Sequence, residues 1–264
     1  MLTALTACVR FETEGLPTDA GIAARSVDAR TNGGEDGTGE GGQRTNAADD
    51  LAECFAFRAS PCSGGATCVD FETAPDLQGW QPTTPGPTVR TPNGGMSRAM
   101  AIDLQTPATD QGYRRDLALP AVGPWSACLA YDLFIVEMPS GLSALPRFLL
   151  AKNQSSDTYR LGPLYDHENF YLGQRPANGE LDIGQTLRIA SPAGTWHRVA
   201  LFVRSAPPGG AEISMRIDNA KLVQRSKDPT MAGWSKLTVL MGSFFTGSRV
   251  QYFVDNVVTV LRGQ

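Results

Sequence analysis

The sequence predicts an antiparallel β-sandwich of the jelly-roll class, preceded by a disordered N-terminal tether. The first observation is strict alternation: between residues 211 and 218, Ile213, Met215 and Ile217 share one face, and polar residues occupy the other. Apolar residues alternate in the same way between 196 and 204. A period of two is the pattern of a strand, because successive side chains point to opposite faces.

The second observation is the regular spacing of further short apolar runs. They occupy residues 129–137, 148–152, 169–173, 186–190, 237–242 and 250–260. Clusters of Gly, Pro, Asn or Ser separate the runs, and we find no capped amphipathic helix of three turns. Short strands with turn signals between them are typical of a sandwich or barrel. The last run is apolar on both faces, so we expect it in the middle of a sheet with both faces covered.

The third observation is the contrast between residues 9–53 and the rest of the chain. This stretch holds 10 acids and 4 bases, a net charge of −6, whereas the whole chain carries −4. It contains six large apolar residues, too few to offset the entropy of ordering it. We therefore predict an acidic, Gly-rich linker over 9–53. One folded domain then covers 54–264, with a short Cys-rich lead-in over 54–67.

Composition narrows the classes of function. Charged residues make up 19% of the chain and no Lys/Arg cluster occurs, which disfavours a nucleic-acid partner. No apolar run reaches the roughly 18 residues that a membrane-spanning helix needs.

Cys8 closes the segment Leu5-Thr6-Ala7-Cys8, which resembles the lipobox of bacterial lipoproteins. In that family a peptidase cuts before the cysteine, whose thiol carries the lipid. The resemblance implies export, with residues 1–8 as the remnant of a signal peptide and a lipid anchor in the bacterial cell envelope or surface. Only seven residues precede Cys8, which we attribute to a start codon placed too far downstream. A free, unmodified Cys8 is the alternative.

The other four cysteines are Cys54, Cys62, Cys68 and Cys128. An even number in an exported domain indicates disulfides, and four cysteines allow three connectivities. We favour Cys54–Cys62, as a local loop, with Cys68–Cys128 joining two strands. The spacings lack the tight pairs of a zinc site.

Candidate catalytic groups are few. His167 lies between two acids, but adjacent residues of a strand point to opposite faces, so we expect a solvated turn. His197 is expected to be an ordinary packed or surface histidine. Residues 180–185, Glu-Leu-Asp-Ile-Gly-Gln, resemble the catalytic strand of laminarinase-type glycoside hydrolases. The acid/base carboxylate of that motif is missing, and retaining hydrolysis needs two carboxyl groups. No catalytic residue is therefore assigned.

The folded part resembles the concanavalin A-like lectin/glucanase superfamily over roughly residues 68–262. The similar stretches are Val69-Asp70-Phe71-Glu72 with Gly79-Trp80, then Thr195–Leu201 with Ile213–Asn219, and finally Tyr252–Val257. The middle stretch is similar to the hairpin of laminin-G and pentraxin-like domains. The resemblance implies a jelly roll and says little about ligands. A galactose-binding-like carbohydrate module, also a jelly roll, is the alternative.

The first functional hypothesis is a non-catalytic, surface-tethered module that binds a glycan or cell-envelope polymer. Sugars are recognised by aromatic platforms and planar polar side chains. The candidates are Trp80, Tyr113, Trp125, Tyr171 and Trp234, whereas Trp196 is expected in the core. The alternatives are a structural or protein-interaction domain without a sugar site, and a polysaccharide-cleaving enzyme whose catalytic residues are unidentified.

A structural calcium ion is a further hypothesis. The first and last strands of jelly rolls commonly pair, which would bring Asp70 and Glu72 near Asp255. Clustered carboxylates repel one another unless something compensates, and Ca²⁺ accepts six to eight oxygen ligands. Solvent exposure, turn hydrogen bonds or a salt bridge to Arg249 are the alternatives.

Overall fold

The computed structural model describes most of the chain from residue 47 onward. The described residues are 47–57, 66–69, 79–83, 88–90, 98–105, 111–120, 123–138, 141–152, 158–166, 169–175, 182–189, 193–206, 210–226, 234–245 and 249–263. All of them belong to one compact unit, Arg44–Gln264. The possible anchor at Cys8, the acids Asp70 and Glu72, Cys62, His167 and Glu180 lie outside the described residues.

The described residues form one helix and sixteen strands. In chain order they are α1 (Ala47–Ala56), β1 (Ala66–Val69), β2 (Gln81–Pro82), β3 (Thr88–Arg90), β4 (Ala99–Leu104), β5 (Gln111–Ala118), β6 (Trp125–Glu137), β7 (Ser143–Ala144), β8 (Arg147–Lys152), β9 (Thr158–Tyr165), β10 (Asn169–Arg175), β11 (Asp182–Arg188), β12 (Trp196–Ala206), β13 (Gly210–Ile217), β14 (Ala220–Ser226), β15 (Trp234–Phe245) and β16 (Val250–Gly263). Each predicted apolar run lies within, or overlaps, one of these strands.

The strands form two antiparallel sheets that face each other as a jelly-roll β-sandwich, as predicted. Sheet 1 has the order β14-β13-β12-β6-β16-β4-β3, and β1 also pairs with β16. Sheet 2 has the order β11-β10-β9-β7-β15-β5-β2, and β8 lies beside β7 between β9 and β15. The inner faces of both sheets contribute to one hydrophobic core, which is the arrangement that buries one apolar face of each sheet.

Alternation within strands β12 and β13 places their apolar residues in this core. Ile213, Met215 and Ile217 of β13 are all buried, as are Val199 and Leu201 of β12. The last strand, β16, lies between β6 and β4, and almost all of its residues from Val250 to Val260 are buried. The prediction that the final run is central and covered on both faces is confirmed.

The first strand pairs with the last, as expected of a jelly roll. Cys68 of β1 lies opposite Val258 of β16, and Val69 lies opposite Val257. Val69, the last described residue of β1, thus lies opposite a residue two positions after Asp255. The calcium hypothesis itself lies outside the described residues, because it needs the side chains of Asp70 and Glu72.

Helix α1 covers one end of the outer face of sheet 1 and corrects the predicted linker. Residues 47–53 were expected to be disordered, but they form the first part of this helix. Leu51 and Cys54 are buried against a small apolar cluster on the sheet that includes Phe202, Val258 and Val260. The helix is hard to predict from the sequence because it has 10 residues, and its buried apolar contacts come mainly from Leu51 and Cys54, which are three residues apart.

The disulfide connectivity also differs from the favoured pairing. Cys54 of α1 is bonded to Cys128 of β6, with α-carbons 5.7 Å apart and a sequence separation of 74. Cys68 is also disulfide-bonded. The predicted pairs Cys54–Cys62 and Cys68–Cys128 are therefore wrong. The short sequence spacing between Cys54 and Cys62 favours a local loop. In the structure, helix α1 instead packs on sheet 1 and brings Cys54 next to Cys128 on the central strand β6.

Candidate functional site

The outer face of sheet 2 carries a set of basic side chains on neighbouring strands. Strand alternation places five cationic side chains on this outer face. Four of them are exposed, namely Arg114, Arg175, Arg188 and Lys236, and the fifth, Arg160, is half-buried. Arg147 lies on the same face and is buried. Among the described side chains of these strands, the one carboxylate facing outward with them is Asp116. We call this surface the cationic face.

One row of residues crosses five strands of the cationic face. The register runs from Arg175 of β10 to Arg160 of β9, then to Leu149, Thr238 and finally Asp116 of β5. Strands lie about 4.8 Å apart, so this row is about 19 Å long. Arg175 and Arg160 are directly opposite each other, an arrangement that disfavours strand pairing when the charges are alike.

The far end of the row holds an ion pair. Lys236 Nζ lies 3.2 Å from Asp116 Oδ2, and the Thr238 hydroxyl donates to Asp116 Oδ1 at 2.6 Å. Burial raises the pKa of Asp116, but the hydrogen bonds from Thr238 and Lys236 and the nearby charges of Lys236 and Arg114 outweigh it and hold the pKa below its ordinary value. Asp116 therefore stays ionised at neutral pH and offsets one of the five outward cations.

Tyr171 lies on the same face, four residues before Arg175 on β10. Its hydroxyl donates a hydrogen bond to Asp166 Oδ2, and Asp166 Oδ1 accepts the backbone N–H of Asn169 at 2.9 Å. The turn between β9 and β10 thus fixes the carboxylate, and the carboxylate fixes the phenol. Of the five predicted aromatic ligand residues, Tyr171 is the one that the structure places on the cationic face.

Two glycines separate Tyr171 from the arginine pair. Gly173 lies opposite Gly162, and both belong to the outward row between them. A Cβ on Gly173 would lie 2.3 Å from Leu164 Cδ1, and one on Gly162 would lie 2.5 Å from Arg147 Cβ. The Leu164 and Arg147 side chains therefore fill the space over these two glycines, so neither position has room for a side chain of its own.

The tryptophans do not form the expected sugar platforms. Trp80, Trp125 and Trp234 are 8%, 5% and 7% exposed and belong to the hydrophobic core. Tyr113 is half-buried and packs against the same core. These residues are corrections to the predicted binding set, because a buried indole presents no face to a ring. In a sandwich with this many short strands, large aromatic side chains are needed to fill the space between sheets.

Trp196 is the reverse case. It was expected in the core but is 39% exposed on the outer face of sheet 1, with its ring 5.4 Å from that of Phe134. Strand β12 alternates as predicted, but apolar residues lie on both of its faces. The pattern alone therefore does not show which face of the strand packs into the core between the sheets.

His197 is buried, as an ordinary packed histidine would be. Its Nδ1 lies 2.7 Å from Asp218 Oδ2 and its Nε2 lies 3.0 Å from the Thr195 hydroxyl. Asp218 Oδ1 also accepts the backbone N–H of Arg198 at 2.9 Å. These contacts attach the turn between β13 and β14 to the start of β12. They give His197 and Asp218, which the resemblance to laminin-G and pentraxin-like hairpins includes, a structural role.

A metal centre finds no support in the described part of the chain. No group of three or more His, Cys, Asp or Glu side chains that could hold an ion occurs among those residues. Asp255 is buried, and its Oδ1 accepts the backbone N–H of Asn256 at 2.7 Å. Arg249 forms ion pairs with Asp103 and Glu137. Within the described ranges, no helix is long and apolar enough to cross a membrane.

Sequence reasoning overlooked the cationic face, although a signal was present. Arg188 lies within a predicted run and Arg175 lies two residues after one, whereas the strand of Arg160 was not among the predicted runs. These arginines do not stand out in the sequence, because they are far apart along the chain and the chain as a whole carries a net negative charge. Only the register shows that they share one surface.

No protein-family model and no curated sequence matches this chain. Solved structures with similar coordinates include an endo-β-1,4-glucuronan lyase from the fungus Trichoderma reesei, with 15% identity, a TM-score of 0.47, and coverage of 74% of this chain and 94% of that one. Alginate lyase A1-II′, a member of polysaccharide lyase family 7, matches with 11% identity and a TM-score of 0.49, covering 67% and 84%. A family GH16 protein from Bacteroides ovatus, in complex with a mixed-linkage glucan product, matches with 12% identity and a TM-score of 0.45, covering 74% and 99%. At these values the likeness concerns sandwich architecture and carries no argument about function.

Proposed function

We propose that this domain binds an extended anionic polysaccharide along the cationic face of sheet 2. The observation that carries the proposal is the charge of that face: among the described side chains, five outward cations stand against two carboxylates, Asp116 and the Tyr171-bound Asp166, in an acidic protein. Charge concentrated on one surface raises the local concentration of an oppositely charged polymer.

The shape of the face supports a polymer rather than a compact ligand. The cations extend from Arg188 on β11 to Arg114 on β5, across roughly 24 Å of sheet. A ladder-bonded surface of this length offers several separate contacts, each weak, which suits a repeating chain. Arginine is well adapted to the task, because its planar fork matches carboxylate geometry with two parallel hydrogen bonds.

The test compares polymers with one backbone and different charge. Binding of the full chain to dextran, carboxymethyl dextran and dextran sulfate is measured by affinity electrophoresis at low and high salt. We expect retardation by the two anionic polymers, none by dextran, and loss of binding near 1 M salt, where the screening length is about 3 Å. Equal mobility in all three gels would refute the proposal, and retardation by dextran alone would indicate a neutral sugar site.

Cleavage of the bound polymer is the second candidate function. It is favoured by Tyr171, because a phenol hydrogen-bonded to the Asp166 carboxylate lies on the cationic face, where it can exchange a proton with a bound substrate. Release of new reducing or unsaturated ends from anionic polymers, abolished in Tyr171→Phe, is the expected result if the domain is an enzyme. Binding without any release of ends identifies a non-catalytic module.

For location we propose that the chain is exported and anchored through a lipid on Cys8. The proposal is supported by the lipobox-like segment, by the acidic linker that follows it, and by the disulfides of the folded domain, which form in oxidising compartments. The polymer would then be a component of the cell's own envelope or of its immediate surroundings.

A further inference from the structure

We infer that the outer face of sheet 1 carries a second carbohydrate site, on which an uncharged β-1,4-linked sugar chain stacks against Trp196. The site lies on the opposite side of the sandwich from the cationic face and does not depend on the polyanion binding proposed above. We call it the aromatic platform, and it comprises Trp196, Phe134, Phe253, Ala101 and Val136.

The platform contains the exposed large apolar side chains of the described residues. These are Val136 and Trp196, which are 42% and 39% exposed. Trp196 lies opposite Phe134 of β6, Phe134 lies opposite Phe253 of β16, and Phe253 lies opposite Ala101 of β4. One row of apolar residues therefore crosses four neighbouring strands. The row is separate from the apolar cluster that helix α1 covers on the same sheet.

The indole of Trp196 is held in position by the rings beside it. Its centroid lies 5.4 Å from that of Phe134, at an interplanar angle of 52°, and Phe134 lies 6.3 Å from Phe253. Phe253 is buried, so this row of rings rests on the sheet. An exposed ring that is positioned before its ligand arrives loses little entropy on binding.

Ion pairs border the platform at both ends. Arg249 lies 2.9 Å from Asp103 and 3.4 Å from Glu137 at one end, and Arg198 lies 3.0 Å from Asp132 at the other. Because these charges are paired with one another, the platform favours an uncharged ligand over a polyion. The Glu137 side chain is 49% exposed and can still accept hydrogen bonds from sugar hydroxyls, since a carboxylate has about four acceptor positions.

The size of the platform fits a short stretch of sugar chain rather than a protein partner. Strand β6 runs about 17 Å from Asp132 to Glu137, and the four strands from β12 to β4 lie across about 14 Å, so the platform covers roughly 240 Å². A stable protein–protein interface needs about 800 Å² from each partner. A pyranose has an apolar C–H face and hydroxyls at its edge, which match an aromatic surface with polar groups at its border.

The geometry of the sugar linkage decides which chains can use a planar ring. In a β-1,4-glucan every ring substituent is equatorial, so each glucose presents an apolar C–H face and the chain forms a ribbon. In an α-1,6-glucan the linkage passes through an additional exocyclic carbon, and ordering this more flexible chain costs more entropy. Dextran is α-1,6-linked, so we expect it to remain unbound.

The test compares cellohexaose with isomaltohexaose, which are the β-1,4- and α-1,6-linked forms of the same glucose hexamer. Isothermal titration calorimetry measures their binding to the full chain and to two variants. Trp196→Ala removes the exposed ring, and Trp196→Tyr keeps an aromatic face. Circular dichroism melts first verify that both variants fold as the wild type does. Trp196 is the exposed one of the four tryptophans, so acrylamide quenching of fluorescence in the wild type reports mainly on it.

We expect cellohexaose to bind the wild type and to protect its fluorescence from acrylamide, and isomaltohexaose to bind at least about tenfold more weakly. Trp196→Ala should weaken cellohexaose binding about tenfold or more, and Trp196→Tyr about threefold. Both variants should be retarded by dextran sulfate as strongly as the wild type is, because Trp196 lies on the other sheet from the cationic face.

Three results would overturn the platform. They are a wild type that binds neither oligosaccharide or binds both equally, a Trp196→Ala protein that binds cellohexaose like the wild type, and a wild type that sediments as a dimer while Trp196→Ala is a monomer. In the last case a second copy of the chain covers this face. A wild type that binds cellohexaose but neither charged dextran would overturn the proposed function and leave the platform in place.

Discussion

Removing the Cys54–Cys128 bridge with Cys54→Ala/Cys128→Ala should destabilise the domain by several kilocalories per mole. The bridge joins residues 74 apart, and in the chain-entropy description a loop of this length contributes about 4 kcal/mol by restricting the unfolded chain. For a domain of this size, such a loss lowers the melting temperature by roughly 8–16 °C. The bridge also attaches helix α1 to β6, a central strand of sheet 1.

Urea unfolding at 25 °C, followed by tryptophan fluorescence, measures this effect. The control is Leu51→Ala, which removes a buried contact of α1 while keeping the bridge and should cost about 2–5 kcal/mol. The two variants differ in the urea dependence of the unfolding free energy. Loss of the bridge lets the unfolded chain expand and expose more surface, so the slope rises in the double variant only.

Two results would refute this reasoning. The first is a double variant that unfolds within about 1 kcal/mol of the wild type with an unchanged slope, since the loop-closure effect would then be absent. The second is a non-reducing peptide map in which Cys54 is linked to a cysteine other than Cys128.

Four further predictions concern the helix, the anchor and calcium. Arg198→Lys should destabilise the domain by about 1–3 kcal/mol and speed amide exchange in α1, because the Arg198 guanidinium donates to the carbonyls that end the helix segment. The hydrogen bond from Arg262 lowers the pKa of Glu53 below 4.5, so the stability that Glu53→Gln removes should be present above pH 4.5 and vanish as the pH falls through the lowered pKa. Cys8→Ser should abolish palmitate labelling of a protein expressed from an extended upstream start. If Asp70 and Glu72 bind calcium together with Asp255, calcium at 2 mM, on the order of the Kd of weak extracellular sites, should raise the melting temperature relative to EGTA, and Asp255→Ala should remove the difference.

Each of these predictions has a contradicting outcome. Unchanged exchange rates in α1 would show that the Arg198 contacts do not hold the helix, and a Glu53→Gln effect that persists at pH 3 would not come from this carboxylate. Equal labelling of the Cys8→Ser protein would exclude the lipid at that position. Identical melts in calcium and EGTA would remove the metal hypothesis.

The sequence by itself determined the fold class and the positions of the longer strands. Alternation in β12 and β13 and the continuous apolar run of β16 reflect burial of one or both faces of a sheet, which is a local property that every strand must satisfy. The pairing of the first strand with the last followed from the class of fold. These features needed no knowledge of which residues meet across the domain.

Tertiary structure alone decided the disulfide, the role of the tryptophans and the cationic face. Cys54 meets Cys128 because α1 docks on sheet 1, and that docking depends on contacts between residues far apart in sequence. Trp125 is buried and Trp196 is exposed, although both begin strands, because each face of a strand is defined only by the sheet that packs on it. Arg160 and Arg175 become neighbours through strand register, and register depends on pairing between strands rather than on the residues of either strand alone.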